Sequence, residues 1–529
     1  MMLLVAFTAI IIPLILIVLL RVPARYSMPI SALAVALLGS SVWGMSGWIL
    51  SASTLQGVHR ALTIIWILVG AIFFLYVMQQ TGAMQRIKQG LFRISTDMRI
   101  QVVLVAFAFV AIIEGVSGFG TPAAIAVPLL LALGFHPLSS VVLALVGDSV
   151  PTSFGALATP LTVGLSNVSN GNDGLLREVA SRLVVLDAVF ALILPVVLVT
   201  ILVVAFGRKR ERRKDIAAVL PWSLLMGATY VVAAYISNHL AGFEFTSVFA
   251  GGVTLLVGVL TARNNILQPK TPWRHHALDG DKKVVHEKPT MSLVKAWLPY
   301  VLIVGILLAQ RMIPELKALS TTFMDLSWER ILAVPQISSQ WFVLYSPGTT
   351  LMVVALATGL LFKNRLRVLL TAGEQTVRTV VATGVALIST LIMVQIFANS
   401  GLNHAGLQSI PVYIAEALAH TLGPVWLAVA PFLGMLAAFI MGSSTISTLT
   451  MSPVQYSVAT QLHIPLDMAM AQQVSGANAG NMIAIHNVVA ASAVSGLHHQ
   501  EGRIIRHTLP IAFLYLACTI VVSVVFLSI

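Results

Sequence analysis

Apolar runs of about 20 residues, separated by short polar gaps, recur along the whole chain; that is the length one helix needs to cross a bilayer. Runs at 3–20, 30–50 and 61–78 read as the first three helices. Those at 183–206, 220–240, 246–261, 297–310, 342–362, 381–398 and 509–529 supply seven more. Pro347 and Gly348 are expected to kink the run at 342–362. The opening run has no basic segment before it and no small-residue cleavage signature, so it reads as a first membrane helix rather than a cleaved signal.

The interval from Glu114 to Leu161 departs from this pattern, because Gly, Pro, Ser and Thr clusters interrupt it at 115–122 and 147–155. Each interruption frees backbone groups that hydrocarbon cannot satisfy, which is tolerated only where the backbone is buried in protein or lines a cavity. Four short apolar limbs result, at 100–113, 123–135, 138–146 and 154–165. A limb of about 13 residues covers roughly 20 Å, short of the hydrocarbon core. The expected arrangement is a re-entrant hairpin over 100–135, tipped at 115–122, followed by one broken helix over 138–165.

A second set of interruptions answers the first. Gly82, Gly115 and Gly147 correspond to Gly401, Gly442 and Gly476, at offsets of 319, 327 and 329. The second set implies a hairpin over 424–459 tipped at 442–448 and a broken helix over 471–496, with the second break at 476–481. Basic loops set the orientation. Arg21 and Arg25, then Arg86, Lys88, Arg93 and Arg99, the run at 208–214, the segment 263–296, Lys363 to Arg378, and Arg503 with Arg506 all fall on the cytoplasmic side. Arg177, Arg182, Arg311 and Lys317 are then outside, as are both termini. The run before Gly82 enters the cytoplasm and the run before Gly401 leaves it, so the repeats are inverted. The expected fold is an all-α polytopic membrane protein of two inverted repeats. Residues 1–262 and 297–529 form the halves, and 263–296 is a cytoplasmic linker.

Composition narrows the function. Hydrophobic residues make up 58% and charged residues 9%, against about 25% charged in a soluble domain. The net charge of +12 sits in the loops, where topology and lipid headgroups explain it better than nucleic acid does. The single cysteine, Cys518, excludes a disulfide framework. No zinc-ligand spacing, phosphate loop or nucleophile elbow is present, so neither an enzyme, an ATP-driven pump nor a cofactor is expected.

Tips rich in Gly, Ser and Thr offer backbone N–H groups, hydroxyls and helix N-termini, the donor set a carboxylate needs. Ser117, Gly118, Gly120 and Thr121 supply it in the first half, and Ser443, Ser444, Thr445 and Ser447 in the second. Ser153, Asn478 and Asn481 stand at the broken helices as further candidate ligands. Small residues also let membrane helices pack closely; four clusters in inverted register favour a site. Glu114 and Asp148 lie where a charge costs roughly 2.5–3.5 kcal/mol. They either carry a proton or cation, or bond the freed backbone. His486 is a third candidate proton carrier, or a packed histidine.

Several stretches resemble one known family. EGVSGFGTPAAIAVPLLLALGF, SFGALATP, GSSTIS, GNMIAIHNVVAASAVSGL and EGRIIRHT are similar to the corresponding segments of the lactate permeases, and the likeness spans essentially the whole chain. It departs at Val116 and Ser117, where members usually carry alanine-like residues, and at Asp148, where Asn is common. The resemblance implies a multi-pass protein of the bacterial inner membrane that takes up lactate, glycolate and related 2-hydroxymonocarboxylates with protons. Its partners would be the substrate, protons and lipid. A sodium-coupled carboxylate carrier of the same architecture is the alternative.

Overall fold

A computed structural model describes residues 2–528 apart from 21, 119, 170–171, 207–211, 241, 275–290, 362–364, 423–424 and 498. Parts of the basic run at 208–214 and of the linker at 263–296, with Lys363, lie outside the described residues. Among the described residues there is no strand, only the isolated bridges Asp325 to Phe342 and Trp328 to Ser339. Eight helices are long and apolar enough to cross a membrane, nine if the bent pair at 137–162 counts as one span. The chain is an all-α polytopic membrane protein.

After an N-terminal run in three pieces, Met2–Ala6, Thr8–Leu14 and Ile15–Leu19, come α1 (Ala24–Ser41), α2 (Gly47–Gln80) and α3 (Ala83–Ile94). Then follow α4 (Met98–Ser117), α5 (Thr121–Ala132), α6 (Pro137–Gly147), α7 (Gly155–Thr162), α8 (Asp173–Phe206), α9 (Arg212–Leu240) and α10 (Thr246–Arg263). The second part holds α11 (Leu293–Met312), α12 (Pro347–Leu361), α13 (Arg365–Ala398), α14 (Ile410–Leu422) and α15 (Trp426–Met441). It ends with α16 (Ser444–Gln461), α17 (Leu466–Asn481), α18 (Ile485–Ser495) and α19 (Glu501–Ser528).

Several boundaries differ from the sequence reading, each for a packing reason. The polar stretch at 51–60 is no loop but belongs to the first half of α2. Its Gln56 accepts from Asn399 at 2.7 Å and donates to the Ser338 carbonyl at 2.7 Å, so polar residues there serve an interface. Gly57 lies directly against the Ile392 backbone of α13, an approach that any side chain would block. Pro347 is the first residue of α12, where it needs no N–H partner, and kinks nothing. α4 continues through Gly115 to Ser117, giving 20 residues and about 30 Å, so the first limb is not short. Its break falls at Gly118 and Gly120.

The second break also moves. α17 runs unbroken through Gly476 to Asn481, and the interruption is at 482–484. Gly434, Gly476 and Gly480 let α15 and α17 touch backbone to backbone, so the packing reading holds for these glycines.

One succession of elements occurs twice. The 34-residue α2 and α13 open it and lie along each other. Each is followed by a connector, a long limb, a short break, a second limb, an interrupted helix and a long closing helix, α8 or α19. Contacts between the parts are reciprocal. α5 packs on α18, while α16 packs on α7, so the second limb of each part meets the far half of the other part's interrupted helix.

Candidate functional site

Four backbone interruptions meet in one place. At the first, Gly118 and Gly120 take positive φ of 60° and 76°, and Gly118 N–H closes α4 on the Glu114 carbonyl at 3.1 Å. The second follows Asp148: a 3₁₀ turn over Pro151–Phe154, then Ala156, Leu157 and Ala158 all left-handed, with the two arms bent by 52°. Left-handed backbone costs roughly 1–2 kcal/mol per L-residue, so this turn persists only because its surroundings impose it. At the third, Gly442 has φ 67° and Ser443 caps α16 by accepting from the Ile446 N–H at 3.3 Å. The fourth, at 482–484, starts α18.

The first turn of α18 is wedged between the two tips. A Cβ on Gly120 would stand 3.0 Å from Asn487 Oδ1, and one on Gly442 would overlap the His486 ring. Positive φ and close approach together leave glycine the fitting residue at both positions. On the other side, the Glu114 carboxyl fills the space a side chain at Gly155 would need. Asn487 donates to Asn481 Oδ1 at 2.8 Å, and Thr445 bridges to Thr159 of α7 at 3.4 Å.

Polar groups at this junction divide into two sets. Glu114 Oε2, Asp148 Oδ1, Thr121 Oγ1 and His486 Nδ1 are buried with no hydrogen-bond partner among the described residues. Glu114 and Asp148 lie within electrostatic range of each other. The second set is joined by hydrogen bonds. Ser444 donates to Asn478 Oδ1 at 2.7 Å and Asn478 Nδ2 donates to Ser153 at 2.6 Å. Ser153 in turn donates to Asp187 Oδ2, and Ser475 and Tyr515 donate to Asp187 Oδ1 at 2.9 and 2.7 Å. Ser117 is spent on its own helix, donating to the Ile113 carbonyl at 2.8 Å. Ser447 donates to the Gly434 carbonyl at 2.9 Å.

Thus the structure gathers Ser153, Ser444 and Asn478 into one chain. Glu114, Gly118 and Asp148 form a second group, and Gly120 with Asn481 and Gly442 with His486 lie on the two sides of α18. The sequence reading missed Asp187, Ser475 and Tyr515. Asp187 had a usable signal, a lone carboxylate in the apolar run RLVVLDAVFALIL. The cavity beside it, lined by Val150, Phe154, Asp187, Tyr230 and Thr246 among others, measures about 20 Å³, room for roughly one water. A larger cavity of about 430 Å³ between α14 and α16 is lined by Glu416, Thr450, Pro453 and Ser457 with apolar neighbours. It lies away from the four breaks and holds none of Glu114, Asp148 and Asp187.

The profile of the L-lactate permease family matches residues 2–529. The chain belongs to that family. Among curated relatives, a putative L-lactate permease of Haemophilus influenzae is 31% identical over 87% of this chain and 86% of its own length. The L-lactate permease of Escherichia coli K12 is 27% identical over 86% and 83%, and the glycolate permease GlcA of the same strain 24% over 84% and 81%. This lactate permease family member is therefore an integral membrane transport protein and not an enzyme. The junction of four breaks brings together its buried Glu114, Asp148 and His486.

Proposed function

We propose that the chain takes up L-lactate, glycolate and related 2-hydroxymonocarboxylates by proton symport across the bacterial inner membrane. The observation that carries this reading is the convergence of four interruptions on carboxyls with unpartnered oxygens, Glu114 and Asp148, beside the N-termini of α5, α16 and α18. Helix N-termini attract the substrate anion, and a carboxyl with a free oxygen can take up and release a proton. Names of the relatives support the substrate class. Uptake of labelled lactate into proteoliposomes under an imposed pH gradient tests it. Accumulation that follows a sodium gradient instead would select the sodium-coupled carrier.

The architecture belongs to the same proposal. Residues 1–262 and 297–529 are two inverted repeats joined by the cytoplasmic linker 263–296, each with a re-entrant hairpin, 100–135 or 424–459, and a broken helix, 138–165 or 471–496. The reciprocal packing of α5 on α18 and α16 on α7 supports a two-fold relation, since such symmetry pairs each contact with its mirror partner. Access would alternate as the hairpins and broken helices move against a scaffold that includes α2 and α13. Both termini then lie in the periplasm. Single cysteines at Ser166 and Glu329, both exposed, should react with an impermeant reagent added outside, and cysteines at Lys214 and Lys270 should not. Ser339 would be a poor reporter at 1% exposure. Equal labelling at all four positions would defeat the inverted topology.

At the second tip, Thr445→Val should weaken lactate binding about ten- to a hundredfold, the worth of a hydrogen bond to a charged group. The fold should survive, because the bond to Thr159 is long at 3.4 Å. Ser443→Ala removes the α16 cap as well and should also lower stability by about 1 kcal/mol. Normal lactate affinity in both variants would leave the tip a packing feature only.

A further inference from the structure

The four side chains Ser444, Asn478, Ser153 and Asp187 form a hydrogen-bond chain whose direction is fixed at one end. Its members come from α16, α17, the turn after α6, and α8, and each is at most 4% exposed. Asp187 accepts from three hydroxyls, those of Ser153, Ser475 and Tyr515, and Tyr515 is itself held by stacking on Phe190 at 4.3 Å. A carboxylate can only accept. Ser153 must therefore spend its proton on Asp187 and receive from Asn478. Asn478 must then turn its NH₂ to Ser153 and its carbonyl oxygen to Ser444.

We infer that Asp187 is a positioning residue for substrate selection: it sets the donor–acceptor sense of this chain, so that Asn478 presents an acceptor toward the second tip. The inference rests on reading the junction as a hydroxy-acid site. An amide carbonyl has two lone pairs, one of which Ser444 uses. The other suits a substrate hydroxyl and disfavours a substrate carboxylate. A 2-hydroxy acid would accordingly lie with its carboxylate at the helix N-termini and its hydroxyl toward Asn478. The analogue without the hydroxyl, propionate, would leave that acceptor unmatched.

Asp187→Asn should reverse the chain. The new amide keeps its carbonyl toward Ser475 and Tyr515 but places a donor against Ser153, which already receives from Asn478. Ser153 can accept from both amides, but its own proton then has no acceptor in the chain; Asn478 supplies one by flipping its carbonyl to Ser153, which offers NH₂ toward the tip. Asn478→Asp alone conflicts in the opposite way, because two carboxylates then compete for one Ser153 proton. The double variant Asp187→Asn, Asn478→Asp restores a consistent chain at unchanged total charge. In it the amide introduced on α8 would donate to Ser153, and Ser153 and Ser444 would both donate to the carboxylate introduced on α17.

Two measurements on the purified full chain test this. The thermal midpoint without substrate should fall in each single variant and return toward wild type in the double. The affinity ratio of lactate to propionate, at least about tenfold in the wild type, should drop toward one in Asp187→Asn and recover in the double. A role in folding alone would leave that ratio unchanged. A double variant no better than its worse parent in either measurement overturns the inference, as do single variants that match wild type in both. If the double rescues the thermal midpoint while the wild type binds neither acid, the chain's direction stands and the hydroxy-acid reading falls.

Discussion

Asp148→Asn is expected to abolish lactate accumulation driven by a pH gradient while lactate exchange across the membrane continues near the wild-type rate. Asp148 ends α6 at the second interruption, 4% exposed, with Oδ1 unbonded and Glu114 close by. The amide preserves size and hydrogen-bonding capacity but cannot exchange a proton. If the proton travels on Asp148, its binding and that of the lactate anion favour each other by the same factor, and the variant loses this coupling while keeping the binding surface. Exchange needs only that the loaded site reorient, so it survives. Counterflow and gradient-driven uptake, measured on the same proteoliposomes, separate the two. Accumulation that persists in Asp148→Asn would pass the proton role to Glu114 or His486, which also keep unpartnered atoms in this junction. Asp187 is a weaker candidate because three hydroxyls already occupy its carboxylate.

What the sequence made legible was the existence of the interruptions, and the reason is physical. A Gly, Pro and Ser cluster inside an apolar run breaks the helix, and in a bilayer the freed backbone must then find its partners within the protein. Their exact positions were less legible, because glycine serves two purposes. Gly118, Gly120 and Gly442 take the positive φ a tip requires, whereas Gly115 and Gly476 sit inside continuous helices and admit a neighbour's backbone or side chain. Composition alone does not separate these uses. The pairing of Ser153 with Asn478, 325 positions apart, is set by the packing of α6 and α17 around α8 and has no local signature. Asp187 and Tyr515 lie in unbroken helices and enter the site from the side, so the interruptions do not point to them. Arg99 illustrates a third limit: as one of several basic residues before an apolar run it reads as a topology marker, yet it is buried.

Arg99→Met is accordingly expected to destabilise the protein by about 3–5 kcal/mol, the cost of leaving one partner of a buried ion pair alone. Arg99 and Asp97 are paired at 2.6 Å with side chains 2% and 4% exposed. The guanidinium uses its remaining donors on the Asp215 and Thr271 carbonyls at 2.6 and 3.2 Å. Trp273 closes the cluster: its backbone N–H donates to Asp97 at 3.1 Å and its indole to Asp215 at 3.0 Å. The start of α4, the start of α9 and the segment 271–273 are thereby locked to one planar cation. Arg99→Lys should rescue little, since an ammonium cannot match that fork. Asp97→Asn combined with Arg99→Met should be more stable than Arg99→Met alone, because no uncompensated charge stays buried and Asn can still cap α4. Thermal midpoints of the three variants check this order. The consequence reaches the site, because α4 carries Glu114 and Gly118 at its other end, about 22 Å along the helix. Loosening its base should therefore lower transport even in the fraction that remains folded. If Arg99→Met instead matches the double variant in stability, the pair is not acting as a buried ion pair and the clamp contributes packing alone.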